Sequence, residues 1–437
     1  MIGISLIYVI SIMFLAISLF YFFYNDDEFL LLTISFFYLT GLSRYTAVLA
    51  KKANWVTVAY AVNFFHLTDS LALIALNMFL LGTCVLSISY IIMRNTVKTK
   101  IINGENQILF KNFIDHQRLS IVGIFGLFLL INSYTKIALI GDTNLAYGKS
   151  YFFLFSLAIG GIILLVYLLY KNLSFKYNFA IKSFFIGLLF YAAYISYNPY
   201  LRFQFISWIV ALGIIAVYKY STFKKFMIYS AAGVITLMLF LVAGNSRIYN
   251  INELSFERNV DMIKYRFDIR EDQNMLDGFM MVLQVYPKRV DYQYGMEHIE
   301  ILLRPIPRIL WADKPVGGYA NKLGLNKNMP QGVTVGISQT LYGSFYGEGG
   351  IIGIIIFSIL YAYFFASAFN YSKRYQSEMR YLIKGITLAS AIPLLRGGDL
   401  PGIYAFIGMS YWPVFIIIFR YNRYLKRHLT NANHHVN

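Results

Sequence analysis

The sequence predicts an all-α polytopic membrane protein of about 12 transmembrane helices, and three observations carry that class. Apolar runs of 18 residues or more recur along most of the 437 residues, and about 20 apolar residues let a helix cross the hydrocarbon. The chain is 58% hydrophobic and 14% charged, against about 25% charged in an ordinary soluble domain. No stretch alternates in polarity over about ten residues, as the strands of a membrane barrel do.

The runs fall near residues 1–23, 29–49, 54–68, 71–93, 119–140, 151–170, 181–198, 200–218, 224–243, 349–369, 381–396 and 402–420. The first lacks a basic head and a small-residue cleavage site, so it reads as a spanning helix, not a removable signal. The third is the shortest and reads as a weak or re-entrant span. The expected organisation is a bundle of about nine spans over 1–243, a large loop over 244–348, three spans over 349–420, and a cytoplasmic tail over 421–437. The end of that tail, from Lys426, reads as frayed.

Charge placement orients the bundle. With both termini inside, the short inner turns hold 22 Lys and Arg, and the short outer turns hold four, Lys136, Lys149, Arg202 and Arg396. That bias follows the positive-inside rule, which sets orientation through basic residues in short loops. The count uses the third span, which keeps Arg44, Lys51 and Lys52 inside, Arg44 as a snorkelling cation. The net charge of +17 is then a membrane-topology charge, and no nucleic acid is expected as a partner. The 244–348 segment carries twelve basic and twelve acidic residues and is placed outside.

Within that loop, Gln273–Tyr286 sets Leu276, Phe279, Met280 and Leu283 on one helical face, and Met296–Leu303 reads as a short helix. The run "LLRPIPRILWADKP" follows. Pro305 and Pro307 fix an extended backbone, because proline has no N–H to give a helix. Arg304 and Arg308 flank that rigid turn, with Trp311 suited to the membrane interface and Lys314 close behind. Two arginines on a stiff turn can fork onto phosphate oxygens. The same arginines can also pair with the loop's own acids or with lipid headgroups.

Arg202 at the mouth of a span, Arg247 just after the ninth span, and Arg396 with Asp399 in "LLRGGDLPG" add charge to the same outer side. His298 is the one histidine of the loop and the candidate base, since imidazole titrates near neutrality. Glu297, Glu300, Glu348 and Asp399 compete for that role. Gly343, Gly347, Gly349 and Gly353 form two GxxxG spacings, which favour close helix packing and also permit close approach of a lipid tail or sugar chain. The one cysteine, Cys84, allows no internal disulfide. No P-loop, dinucleotide-binding glycine run or H-E-x-x-H motif is present, and neither a cofactor nor a metal is expected. An enzyme built this way needs a substrate that is already activated.

Arg304-Pro-Ile-Pro-Arg308, then Trp311 and Lys314-Pro315, resembles the "R-x-I-P-R-x-x-W-x-x-K-P" run of bacterial O-antigen polymerases of the Wzy type. The glycine-rich helix over 336–353 and the "RGGD" turn at 396–399 are similar to that family too. The resemblance implies a polymerase/ligase architecture of the GT-C kind in the bacterial cytoplasmic (inner) membrane. It implies a metal-independent glycosyltransferase that joins undecaprenyl-diphosphate-linked repeat units outside the membrane, with lipid-linked donor and acceptor, a flippase and a chain-length regulator as partners. It implies Arg304, Arg308 and Arg396 as catalytic residues on the diphosphate, with His298 as candidate base. Arg202, Arg247, Trp311, Lys314 and Asp399 would bind substrate. A ligase that hands the polymer to lipid A, and a flippase for the lipid-linked glycan, are the competing readings.

Overall fold

The computed structural model describes residues 3–56, 65–97, 99–138, 155, 157–172, 179–196, 202–245, 260–261, 264, 274–304, 306, 310–311, 318–325 and 337–434. Among the described residues every regular element is helical. In chain order they are α1 (Ile4–Asn25), α2 (Phe29–Phe37), α3 (Ser43–Leu49), α4 (Asp69–Thr96), α5 (Gln107–His116), α6 (Arg118–Ala138), α7 (Ile159–Asn172) and α8 (Phe179–Ser196). Then come α9 (Arg202–Val217), α10 (Thr222–Asn245), α11 (Met275–Val285), α12 (Met296–Leu303), α13 (Tyr319–Lys322), α14 (Thr340–Ser372), α15 (Met379–Arg396) and α16 (Leu400–His434).

Among the described residues four helices are long and apolar enough to cross a membrane: α1, α4, α14 and the Leu400–Leu429 part of α16. A fifth candidate is the pair α5 and α6, bent by 55° at their junction. Shorter apolar stretches lie within α7, α8, α9 and α11. A π-turn over Tyr38–Leu42 joins α2 to α3 without leaving helical dihedrals, so the three run on as one rod. The tail expected to fray from Lys426 is instead helical through His434.

The chain divides into two compact units. Unit 1 comprises 1–97, 220–367 and 391–405, and unit 2 comprises 98–219, 368–390 and 406–437.

Two polar clusters mark the ends of unit 1. At one end α1 stops at Asp26, whose left-handed backbone breaks the helix. Lys225 Nζ, at the start of α10, donates to Asp26 at 2.6 and 2.7 Å. Arg94 Nε and Tyr90 Oη, near the end of α4, donate to Asp27 at 3.0 and 2.8 Å. The turn after α1, the end of α4 and the start of α10 therefore share one end of the unit. The expected arrangement put that turn on the membrane face opposite Arg94 and Lys225. A helix of 22 residues is about 33 Å long, so the ion pairs and that arrangement are incompatible.

The expected third span is what misled it. Trp55 Nε1 donates to Asp69 at 2.8 Å, so a segment expected to cross the membrane begins and ends at one place. Both flanks also meet α11: the Val56 N–H donates to Asp277, and His66 exchanges hydrogen bonds with Gln284. The described flanks of this segment thus meet on one side, residues 57–64 lying outside the described residues, and Lys51 and Lys52 sit on the side of the large loop.

Arg44 does not snorkel. It is 2% exposed, and its Nε and Nη2 donate to both oxygens of Asp277 at 2.9 Å. Nη2 also reaches the Asn54 carbonyl at 2.7 Å. This pair explains α11, which is buried nearly all round rather than on one face. Its single acid is matched by Arg44, so the helix can sit among apolar side chains without an unpaired charge.

Unit 2 has its own polar anchors. Glu378, 2% exposed, accepts from Tyr218 Oη at 2.8 Å and from Asn172 Nδ2, with Lys171 Nζ at 3.1 Å. Glu105 accepts from Tyr421 Oη at 2.7 Å and from the Gln376 N–H. Gly161 lets α7 lie against the backbone of α16: an added Cβ would come within 2.9 Å of the Ser410 carbonyl oxygen. These anchors are structural: every charge in them has its partner.

Candidate functional site

A break in α14 builds the site. Gly349 and Gly350 leave helical dihedrals, Gly350 at φ 65° and ψ −142°, a conformation that side chains resist. The helix folds back at this point. The Phe345 and Tyr361 rings lie 4.8 Å apart, although a straight helix would separate residues sixteen apart by about 24 Å. Gly353 makes the fold possible, since a Cβ there would sit 2.3 Å from the Phe345 carbonyl oxygen. Gly343 and Gly347 pack closely as well, against Phe279 and Tyr286. The break strips carbonyls of their helical donors. The Gln293 N–H caps Gly347 at 3.0 Å, and the Tyr294 N–H caps Glu348 at 2.8 Å.

The same caps bring α12 to the break. Glu348, 1% exposed, accepts the Gly295 N–H on Oε2 at 2.6 Å. Its Oε1 lies 3.0 Å from His298 Nδ1. A carboxylate facing Nδ1 favours the tautomer protonated there, which leaves Nε2 as an acceptor. Nε2 is 3.4 Å from Tyr361 Oη, and the ring stacks on Phe357 at 4.1 Å and 6°. The histidine is thus clamped on both faces of its function, in position by stacking and in tautomer by Glu348. A residual 19% of its side chain stays exposed.

Glu297 and Glu300 point the other way along α12, into the protein. Glu297 is 5% exposed and accepts the Leu400 N–H at 3.4 Å. Burial raises its carboxyl most, and Lys322 pulls it back. Glu348 and Asp399 raise it again, the Leu400 N–H lowers it, and the result is about 8, against an ordinary 4.5. Glu300 is raised as well, chiefly by burial, and its Oε2 has no hydrogen-bond partner among the described residues. A proton held by folded Glu297 is released on unfolding above pH 4.5, so this carboxyl stabilises the fold most at low pH. That contribution is lost progressively as pH rises from about 4.5 to about 8. Glu297→Gln is expected to flatten the fall. Thermal midpoints of wild type and variant between pH 5 and 8 check it, and parallel curves would contradict it.

The "RGGD" turn closes the site. Arg396 ends α15, and Gly397 and Gly398 follow with φ of 70° and 130°. A Cβ on Gly397 would lie 2.0 Å from the Thr340 carbonyl oxygen, so only glycine lets the turn sit on the start of α14. Gln339 Nε2 and Ser344 Oγ donate to the Gly398 carbonyl at 3.4 Å each. Asp399 Oδ2 lies 3.6 Å from Arg304 Nη2, both side chains being about a third exposed. Asp399 Oδ1 has no hydrogen-bond partner among the described residues. Lys322 Nζ, from α13, donates to Gln293 at 2.5 Å.

Of the expected site residues, Arg304, Arg396, His298 and Asp399 all fall in unit 1. Arg304 touches Asp399, and His298 lies six residues before Arg304, about 9 Å along α12. Trp311 is 37% exposed beside an exposed Leu310. Arg308, Arg247 and Lys314 lie outside the described residues, as do Pro305 and Pro307. Arg202 begins α9 in unit 2, and its side chain is likewise outside them. Glu348 was expected as a rival base; its place is behind His298. Lys322, Tyr361 and Gln293 were not singled out, since nothing local in the sequence marks them. Among the described residues no three His, Cys, Asp or Glu side chains converge as a metal site.

These features define a polytopic helical membrane protein with an acid-rich site at a broken helix. No protein-family model, curated protein or solved structure matches the chain.

Proposed function

We propose that this protein is a glycosyltransferase that polymerises undecaprenyl-diphosphate-linked oligosaccharide units on the outer face of a bacterial cytoplasmic membrane. One observation carries the reading most. Arg304 of the "RPIPR" run and Asp399 of the "RGGD" turn, the ends of two motifs that carry the family resemblance, lie 3.6 Å apart, and Arg304 caps the helix that bears the clamped His298. In this mechanism an acceptor hydroxyl attacks the donor's anomeric carbon, and undecaprenyl diphosphate leaves. Arg304, with Arg308 and Arg396, stabilises the charge that grows on the diphosphate. His298, its tautomer set by Glu348, takes the hydroxyl proton at Nε2.

The loop end of unit 1 is the outer side in this reading, and the end with Arg94 and Lys225 is cytoplasmic. The start of α1 is then outside, and Arg44, Lys51 and Lys52 move to the outer account. That leaves 19 basic residues in the short inner turns and seven in the outer ones, still a positive-inside distribution. In a Cys84→Ser background, Gly3→Cys and Lys51→Cys are expected to react with an impermeant maleimide added to whole cells whose outer membrane has been permeabilised. Labelling of either only after lysis would reverse the assignment.

The function is tested by the surface polysaccharide ladder of a deletion strain. Wild type is expected to restore long chains, and the strain without it to keep single-unit product. Arg304→Ala is expected to lower polymerisation on the order of 10²–10³-fold. Loss of even the single unit in the deletion strain would point to a ligase or flippase and overturn the proposal.

A further inference from the structure

The short helix α12 is built inside out for a helix in water. Its acids, Glu297 and Glu300, are buried. Its outward positions, three residues apart, are Met296, Ile299 and Leu302, exposed by 49, 47 and 79%. A helix on an aqueous surface turns its acids out and its apolar stripe in. The inverted pattern fits a helix whose outer solvent is hydrocarbon.

Depth supports the same conclusion. After the break the second half of α14 starts at Ile351 and runs to Ser372, long enough to span the hydrocarbon. Phe357 lies about 9 Å and Tyr361 about 15 Å along it. His298 stacks on the first and reaches the second. In a hydrocarbon layer about 30 Å thick, α12 therefore sits within one leaflet. The same span also turns large apolar side chains outward, with Ile352, Ile356 and Tyr363 exposed by 69, 56 and 50%. Half-exposed Trp311, a few residues on, is the side chain that membrane–water interfaces favour.

We infer that α12 is embedded in the outer leaflet, its Met296–Ile299–Leu302 face against lipid acyl chains and its acidic face forming one wall of the His298–Glu348 site. The site then opens sideways at membrane depth, and a substrate carried on a lipid reaches it without leaving the bilayer. The choice of leaflet rests on the orientation proposed above; the placement in lipid does not rest on the reaction.

Cys84 is the one cysteine in the sequence, so Cys84→Ser gives a clean background for labelling. Nitroxides are placed at Ile299→Cys, at Leu302→Cys and, as an aqueous reference, at exposed Asp291→Cys. The full chain is reconstituted in phosphatidylcholine–phosphatidylglycerol vesicles, and collisions with oxygen and with a water-soluble nickel chelate are compared. Labels at 299 and 302 are expected to meet oxygen several-fold more than nickel, and the label at 291 the reverse. Nickel access at 299 and 302 equal to that at 291 would put the face in water. Shielding from both reagents would mean that protein, such as a second copy, covers it. Either result overturns the inference. Leu302, the most exposed of the three, carries the test alone if the Ile299 variant does not fold.

Discussion

Replacing Asp277 with alanine is expected to destabilise the protein by about 3–5 kcal/mol, the largest single-residue loss of stability foreseen here. Asp277 is fully buried and takes three donors, two from Arg44 and one from the Val56 backbone. Its removal takes from the buried Arg44 guanidinium the carboxylate that balances its charge, while the Asn54 carbonyl remains as a neutral acceptor. Desolvating an uncompensated charge costs far more than the pair contributes when intact. Arg44→Ala strands the carboxylate in the same way. The double variant Arg44→Met/Asp277→Leu keeps the volume and removes both charges, so it is expected to recover most of the loss. Thermal unfolding of the detergent-purified chain reads all three. A double variant as unstable as the sum of its single changes would show that the ion pair itself does not couple α3 to α11.

That pair also shows where reading the sequence succeeds and where it stops. Helix α12 was legible to the residue, because Gly295 precedes it and Pro305 lies two residues past its end. The long helices α1 and α4 were legible too, since an unbroken apolar run leaves little choice of structure. The segment after Asn54 was not. An apolar run of fifteen residues does not say on which side its two ends lie, and tertiary contacts, Trp55 to Asp69 and both flanks to α11, bring those ends together. The error then spread. One false span reversed the turn at Asp26 and moved Arg44 to the wrong end. Arg44 looked like a snorkelling cation because its partner lies 233 residues away. The site followed the same logic. Its residue types were visible as outer arginines, acids and one histidine, but their pairing was not. Arg304 and Asp399 meet across 95 positions because two strained glycines fold the "RGGD" turn onto the start of α14. The "GEGG" run held a readable signal: an acid beside paired glycines in an apolar stretch marks a broken helix, and broken helices gather polar sites.

The second large effect is expected on rate. If His298 takes the acceptor proton, His298→Ala should lower the polymerisation rate by about 10²–10⁴-fold, the range general-base removal spans. Apparent affinity for the lipid-linked donor should change little, since the diphosphate is held by arginines. Glu348 acts on the reaction only through His298, as a positioning residue. Glu348→Gln keeps one oxygen, which the Gly295 N–H can hold, but it turns an amide NH2 toward Nδ1 and removes the charge that supports an imidazolium once the proton arrives. Its expected signature is a lower turnover at unchanged KM, smaller than that of His298→Ala, with no added loss when both are combined, because members of one proton-transfer unit are not additive. Glu348→Ala should be worse than Glu348→Gln in stability as well, since it leaves the part-buried Gly295 N–H without its acceptor. Turnover and KM measured on purified lipid-linked repeat units separate these outcomes. A His298→Ala enzyme with wild-type turnover would return the role of base to the remaining acids of the cluster. Glu300 would then be the first to test, because its outer oxygen is buried and still lacks a donor among the described residues.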